Sequence, residues 1–195
     1  MRVDRAHIGS SPTPYPAVQW RESQIGASKG HRGWQIVGTN AAGTSSVTSD
    51  LVTFYNAEEH FETAERIRIE NLGSNLPSRA IQEYGKAIEK SEKVLREYSD
   101  SRYVKNARLL KGKSHYFRRE YDSAVSIFSQ LIQEKDFNLE AKYWLALCKW
   151  KDLKPQPAIN DLKNLISGVE SDEFKSRIFL SIGEIYSSIN DSVAI

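Results

Sequence analysis

The chain has little that would point to chemistry. Of its 195 residues only one is cysteine and only one is methionine. Cys148 therefore has no disulfide partner within the chain and no second cysteine at a zinc spacing. It sits in the apolar run Tyr143–Trp150 and reads as a buried core thiol. The four histidines, His7, His31, His60 and His115, share no metal-ligand spacing. No apolar run reaches the roughly 20 residues needed to span a bilayer, and Met1–Trp20 lacks the apolar stretch of a secretory signal. Taken as it stands, the sequence predicts a cytoplasmic chain with no direct membrane span. Charge of one sign is also missing. Lys and Arg number 27 against 25 Asp and Glu, and they are interspersed. A nucleic-acid surface would need a clustered basic face, so no nucleic acid is expected as a partner.

Catalytic patterns are equally scarce. Gly112-Lys113-Ser114 looks like the end of a phosphate-binding loop, but the motif needs a glycine where Ala107 stands and a strand before it. No Ser/His/Asp order or paired carboxylate falls in a pocket-forming loop, and Glu58–Glu59 reads as a solvated helix face. Asn190-Asp191-Ser192 fits a glycosylation acceptor, a pattern short enough to recur by chance. The expectation is a non-enzyme with no cofactor and no metal.

What the chain does have is helical texture in its second part. Residues 1–49 hold Pro12, Pro14, Pro16 and scattered glycines without lasting periodicity, and they read as a disordered or irregular segment. Gly33–Gly38 is too short and isolated to build a sheet. Trp20 and Trp34 could dock on the body. From Ser49 or Asp50, a capping position, apolar residues recur every three or four places. Seven helices follow. The first runs to about Glu70, and Gly73 and Pro77 break it from the second, which reaches about Tyr98. The third holds Val104–Tyr116. The fourth starts after Asp122, and the fifth covers about Leu139–Lys151. The sixth opens at Pro157 and ends at Gly168. The seventh is capped by Ser171, with Asp172 and Glu173 complementing its dipole. Asn190–Asp191 would open one more helix.

The pattern then repeats. Gly112 and Ala146 lie 34 residues apart, as do Ala124 and Ala158, and as do Phe128 and Leu162. Small residues on paired helices allow close crossing, and a large apolar residue one turn on fills the gap to the next unit. Gly112 and Ala124 are therefore expected at one crossing. Two helices per unit at this period resemble the tetratricopeptide repeat. Gly112, Ala124, Phe128, Leu145, Ala146, Ala158 and Leu162 fall on its consensus, with Tyr116 one place late. The last unit is looser, with Gly183 and Ala194 11 apart, and in the first unit Ala87 precedes Ala124 by 37. The resemblance implies an all-α fold: a right-handed superhelix of antiparallel helix pairs over 50–195. The units fall at about 50–98, 102–135, 139–168 and an incomplete 171–195.

A narrower likeness lies in Tyr55–Phe61 and Ala87–Ile132, which resemble the N-terminal part of bacterial envelope repeat lipoproteins of the BamD type. That implies a periplasmic scaffold tethered to the outer membrane through a lipidated cysteine, although no cysteine precedes Tyr55. The tetratricopeptide resemblance implies protein binding on the concave face, lined by the first helix of each pair. By matched position Asn106, Leu109, Lys113, Tyr116, Phe117, Glu140, Tyr143, Leu147, Trp150 and Lys151 would line it, with Trp144 as a further aromatic. The large apolar members could equally pack between units. The ligand would be a protein or peptide, in envelope assembly; as an alternative, the chain would be a regulatory or targeting module of a cytoplasmic enzyme complex. The uncapped last face, expected at Phe179, Ile182 and Ile185, predicts self-association.

Overall fold

The computed structural model describes residues 48–73 and 75–193. The irregular segment expected over 1–49 falls almost wholly outside the described residues, as does Ala194. The described residues form seven α-helices and no strand: α1 Ser49–Glu70, α2 Ser78–Glu97, α3 Val104–Phe117, α4 Tyr121–Leu131, α5 Asn138–Lys151, α6 Pro155–Ile166 and α7 Asp172–Val193. The fold is all-α.

Each boundary has a local cause. Gly73, with φ +85°, turns the chain three residues beyond the end of α1. Pro77 is the N-cap of α2, one place earlier than the first turn expected for it. Ser171 Oγ accepts the Phe174 N–H at 3.3 Å, so the expected cap of α7 is in place. Two boundaries differ from the sequence reading. Helix α6 opens at Pro155, not Pro157. Proline is tolerated throughout a first turn whose N–H groups lack partners within the helix, so the second proline does not mark the start. No new helix begins at Asn190–Asp191; α7 runs through to Val193. Neither residue prevents a helix that packing already holds.

The repeat extends to the turns. Arg119 and Leu153 stand at equivalent positions and both adopt left-handed backbone, φ 65° and 57°. After each, the chain closes the same way: the Glu120 N–H donates to the His115 carbonyl at 2.9 Å, and the Lys154 N–H to the Lys149 carbonyl at 3.0 Å. The starts of α3, α5 and α7 at Val104, Asn138 and Asp172 keep the same interval. The turn geometry recurs although its residues do not.

Packing is sequential. Every helix contacts its successor, and the odd-numbered helices also meet, α1 with α3, α3 with α5 and α5 with α7; among the described residues no two even-numbered helices meet. Each even helix brings a small residue and, one turn on, a large one: Ala80 and Tyr84, Ala124 and Phe128, Ala158 and Leu162, all with 0% exposure. In α2 this pair stands ahead of Ala87, which marks the first unit in the sequence. Gly112 supplies the close approach of α3 to α4. A Cβ there would lie 2.6 Å from Phe128 Cε1 and 3.1 Å from Ile127 Cγ2. The glycine therefore receives the Phe128 ring, one turn beyond the expected Ala124. The largest core cluster runs from Tyr116 to Ile185 and joins α3 through α7, and Cys148 is buried in it as expected. A smaller cluster of Phe54, Val94, Tyr103 and Ala107 seats α1 and α2 on the start of α3.

Candidate protein-binding face

Because only odd helices meet one another, their side chains form one continuous layer. At its α1 end, Tyr84 of α2 donates its hydroxyl to Glu65, and Glu65 holds Arg68 through two hydrogen bonds of 3.0 and 2.7 Å. The Arg68 guanidinium lies 4.6 Å from the centroid of the Phe117 ring, in the range for a cation–π contact. Phe117 stacks on Tyr84 at 5.4 Å and meets the edge of Trp144 at 5.7 Å. Lys113 Nζ sits 5.6 Å from the Trp144 centroid and 3.2 Å from Glu140 Oε1. Glu140 also accepts from Trp144 Nε1 at 2.9 Å and from Arg177. Arg177 covers Tyr143 and Phe174, at 4.7 and 4.4 Å from their centroids. Cations and rings thus alternate from α1 to α7.

Glu140 is the hub. Burial alone would raise its pKa, but the charges of Lys113 and Arg177 and the hydrogen bonds from Trp144 and Arg177 hold it below the ordinary carboxylate range. Arg68, Lys113, Glu140 and Arg177 keep 29%, 21%, 20% and 41% side-chain exposure, so all four present part of themselves to solvent.

The ten residues expected to line a groove divide. Lys113, Phe117 and Glu140 lie in the layer and are half-buried; Asn106 is exposed on α3, and Leu109 packs half-buried against the main core. Trp150 is half-buried, donating Nε1 to Ser188 at 3.2 Å, and exposed Lys151 lies over its ring. Tyr116, Tyr143 and Leu147 are core residues, with 8%, 4% and 6% exposure. Helical position sets a side chain's direction, but the adjoining helices α4, α6 and α7 cover that direction here. The Tyr143 hydroxyl is satisfied by Ser181 at 2.9 Å. Trp144 is likewise buried, at 7% exposure.

Sequence reasoning missed Arg68, Phe174 and Arg177. The repeat interval projects Tyr143 onto Arg177, so that one was within reach. Arg68 carried no signal beyond a polar position near a helix end. The two described histidines serve locally: His60 Nδ1 pairs with Glu83 at 2.7 Å and His115 Nδ1 with Glu120 at 2.6 Å. Among the described residues no cluster of His, Cys, Asp or Glu is arranged to hold a metal, and no helix is long and apolar enough to cross a membrane. No family model matches the chain, and a search of curated proteins gave no match.

Proposed function

We propose that the chain is a non-catalytic interaction scaffold of tetratricopeptide type, its helix pairs wound as a right-handed superhelix. An extended peptide or partner helix lies along the odd-helix layer. The observation that carries this reading is the alternation of part-exposed cations with aromatic rings from Arg68 to Arg177. Its half-buried rings, Phe117 and Phe174, offer apolar contact beside the part-exposed charges, the composition that concentrates binding energy in interfaces. Three cations stand against the two carboxylates Glu65 and Glu140, so the layer favours segments that carry acidic and aromatic side chains. The conserved interval of helix starts and the Ala-to-large pairs of the even helices support the repeat assignment. The setting we propose is outer-membrane assembly, which only the resemblance to envelope lipoproteins supports; recovery of the native chain from the cytoplasmic fraction would count against that setting.

The test is affinity capture from native lysate with the full chain and with an Arg68→Ser/Arg177→Ser variant whose helicity by circular dichroism is unchanged. Proteins held by the wild type and lost from the variant are expected. An identical set on both would overturn the assignment.

A further inference from the structure

The carboxylates of the odd-helix layer hold its cations in two different ways. Glu65 takes Arg68 at two points, Nε at 3.0 Å and Nη2 at 2.7 Å, both residues being on α1. A two-point pair uses the planar fork of the guanidinium fully, and the Tyr84 hydroxyl adds a third hydrogen bond to the same carboxylate. Arg68 is thereby closed to an acid arriving from outside.

Glu140 is shared instead. Lys113 of α3 meets its Oε1 at 3.2 Å, Trp144 Nε1 of α5 donates to the same oxygen at 2.9 Å, and Arg177 of α7 donates to Oε2 through Nη2. Two positive charges thus stand on one carboxylate. An ammonium carries three N–H donors and a guanidinium five, more than Glu140 can satisfy. The shortfall is visible: the Arg177 Nε atom is buried and has no hydrogen-bond partner among the described residues. A buried donor left unmade is costly. Arg177 lies back over the Tyr143 ring of α5, so its guanidinium belongs to the layer and not to the outer side of α7. Lys113 and Glu140 sit on helices that each meet an odd helix on either side, and their 21% and 20% side-chain exposure leaves the pair within reach of a ligand.

We propose that one acidic side chain of the ligand is read here, between Lys113 and Arg177 and in competition with Glu140. This rests on the odd-helix layer being the binding face. The incoming carboxylate takes Arg177 at two points, through Nε and Nη2, and leaves Glu140 to Lys113 and Trp144. Burial raises the Glu140 pKa and its two cations lower it by more, so at neutral pH it is a charged competitor. Glu140 therefore sets the selectivity of the face. It lets one acid in at a reduced affinity, and Arg68 admits none.

The probes are two pools of short random peptides, one with Asp fixed at the centre and the other with Asn. Each is passed over the immobilised full chain, and the ratio of Asp to Asn peptides retained is the readout. The wild type is expected to retain the Asp pool in excess. Glu140→Gln should raise the ratio by about tenfold although it lowers stability, an opposition that a merely structural role would not produce. Lys113→Gln and Arg177→Gln should each bring the ratio down towards one, with helicity by circular dichroism unchanged. Arg68→Gln should leave the ratio as it is, even if both pools bind less. Retention of neither pool by the wild type or any variant would overturn the layer as a binding face, and this proposal with it. Pools retained alike by the wild type, a ratio that Glu140→Gln leaves unmoved or lowers, or a ratio lost in Arg68→Gln would overturn this proposal alone.

Discussion

Gly112 and Gly183 sit inside helices of the same class, α3 in the middle of the stack and α7 at its end. At Gly112 the missing side chain is replaced by the Phe128 ring, while at Gly183 the same vacancy opens on solvent. The sequence is alike at both points, a glycine amid helix formers, so the difference lies in what packs alongside. A glycine that costs helix propensity is compensated in the middle by burial of an aromatic ring. At Gly183 no side chain among the described residues offsets that cost.

Substitutions can sharpen or break this contrast. The largest effect is expected for Phe128→Ala, which empties the Gly112 notch and should lower stability by about 3–5 kcal/mol in denaturant titration. Gly112→Ala drives a methyl into the ring; a loss of about 1–3 kcal/mol is expected from the same titration, and an unchanged midpoint would break the comparison at its filled side. Glu140→Gln removes the charge shared by Lys113 and Arg177, costing about 1–2 kcal/mol at neutral pH. Its pH dependence follows from the lowered carboxyl pKa. The carboxylate's stabilisation is present above its unfolded value of 4.5 and lost as pH falls through the folded value. The gap between wild type and Glu140→Gln in thermal melts should therefore narrow as pH drops below about 4.5. At the empty side the sign reverses: Gly183→Ala, measured dilute, should raise stability by up to about 1 kcal/mol. A comparable gain of about 0.5–1 kcal/mol is expected for Leu153→Gly, which relieves left-handed backbone at a residue 91% exposed.

The fold was largely legible because helices advertise themselves through spacing and caps: Ser171, Gly73 and the recurring Ala124 and Ala158 each mark what the structure places there. Pro157 misled because a first turn accepts more than one proline, and Asn190–Asp191 because polar residues weaken a helix without ending it. The binding face was legible only in part. Spacing gives the direction of Tyr116, Tyr143 and Leu147 about their helices, yet burial depends on how closely the neighbouring helices approach, which no single helix encodes. Ile182 and Ile185 fall to the interior of α7 for the same reason, leaving Phe179 and Leu180 outside. Arg68 gains its role from Phe117 on another helix, so its own neighbours in the chain say little; Arg177 covers Tyr143 of α5 as well as Phe174 three residues before it.

The claim beneath both sides of the contrast is that large side chains of even helices fill small positions on odd ones. A double-mutant cycle of Gly112→Ala with Phe128→Leu measures that contact directly by denaturant titration. If the ring occupies the glycine notch, shortening it makes room for the methyl, and the double variant should be more stable than the sum of the single losses by about 1 kcal/mol or more. Strict additivity would place Phe128 elsewhere and contradict the packing scheme.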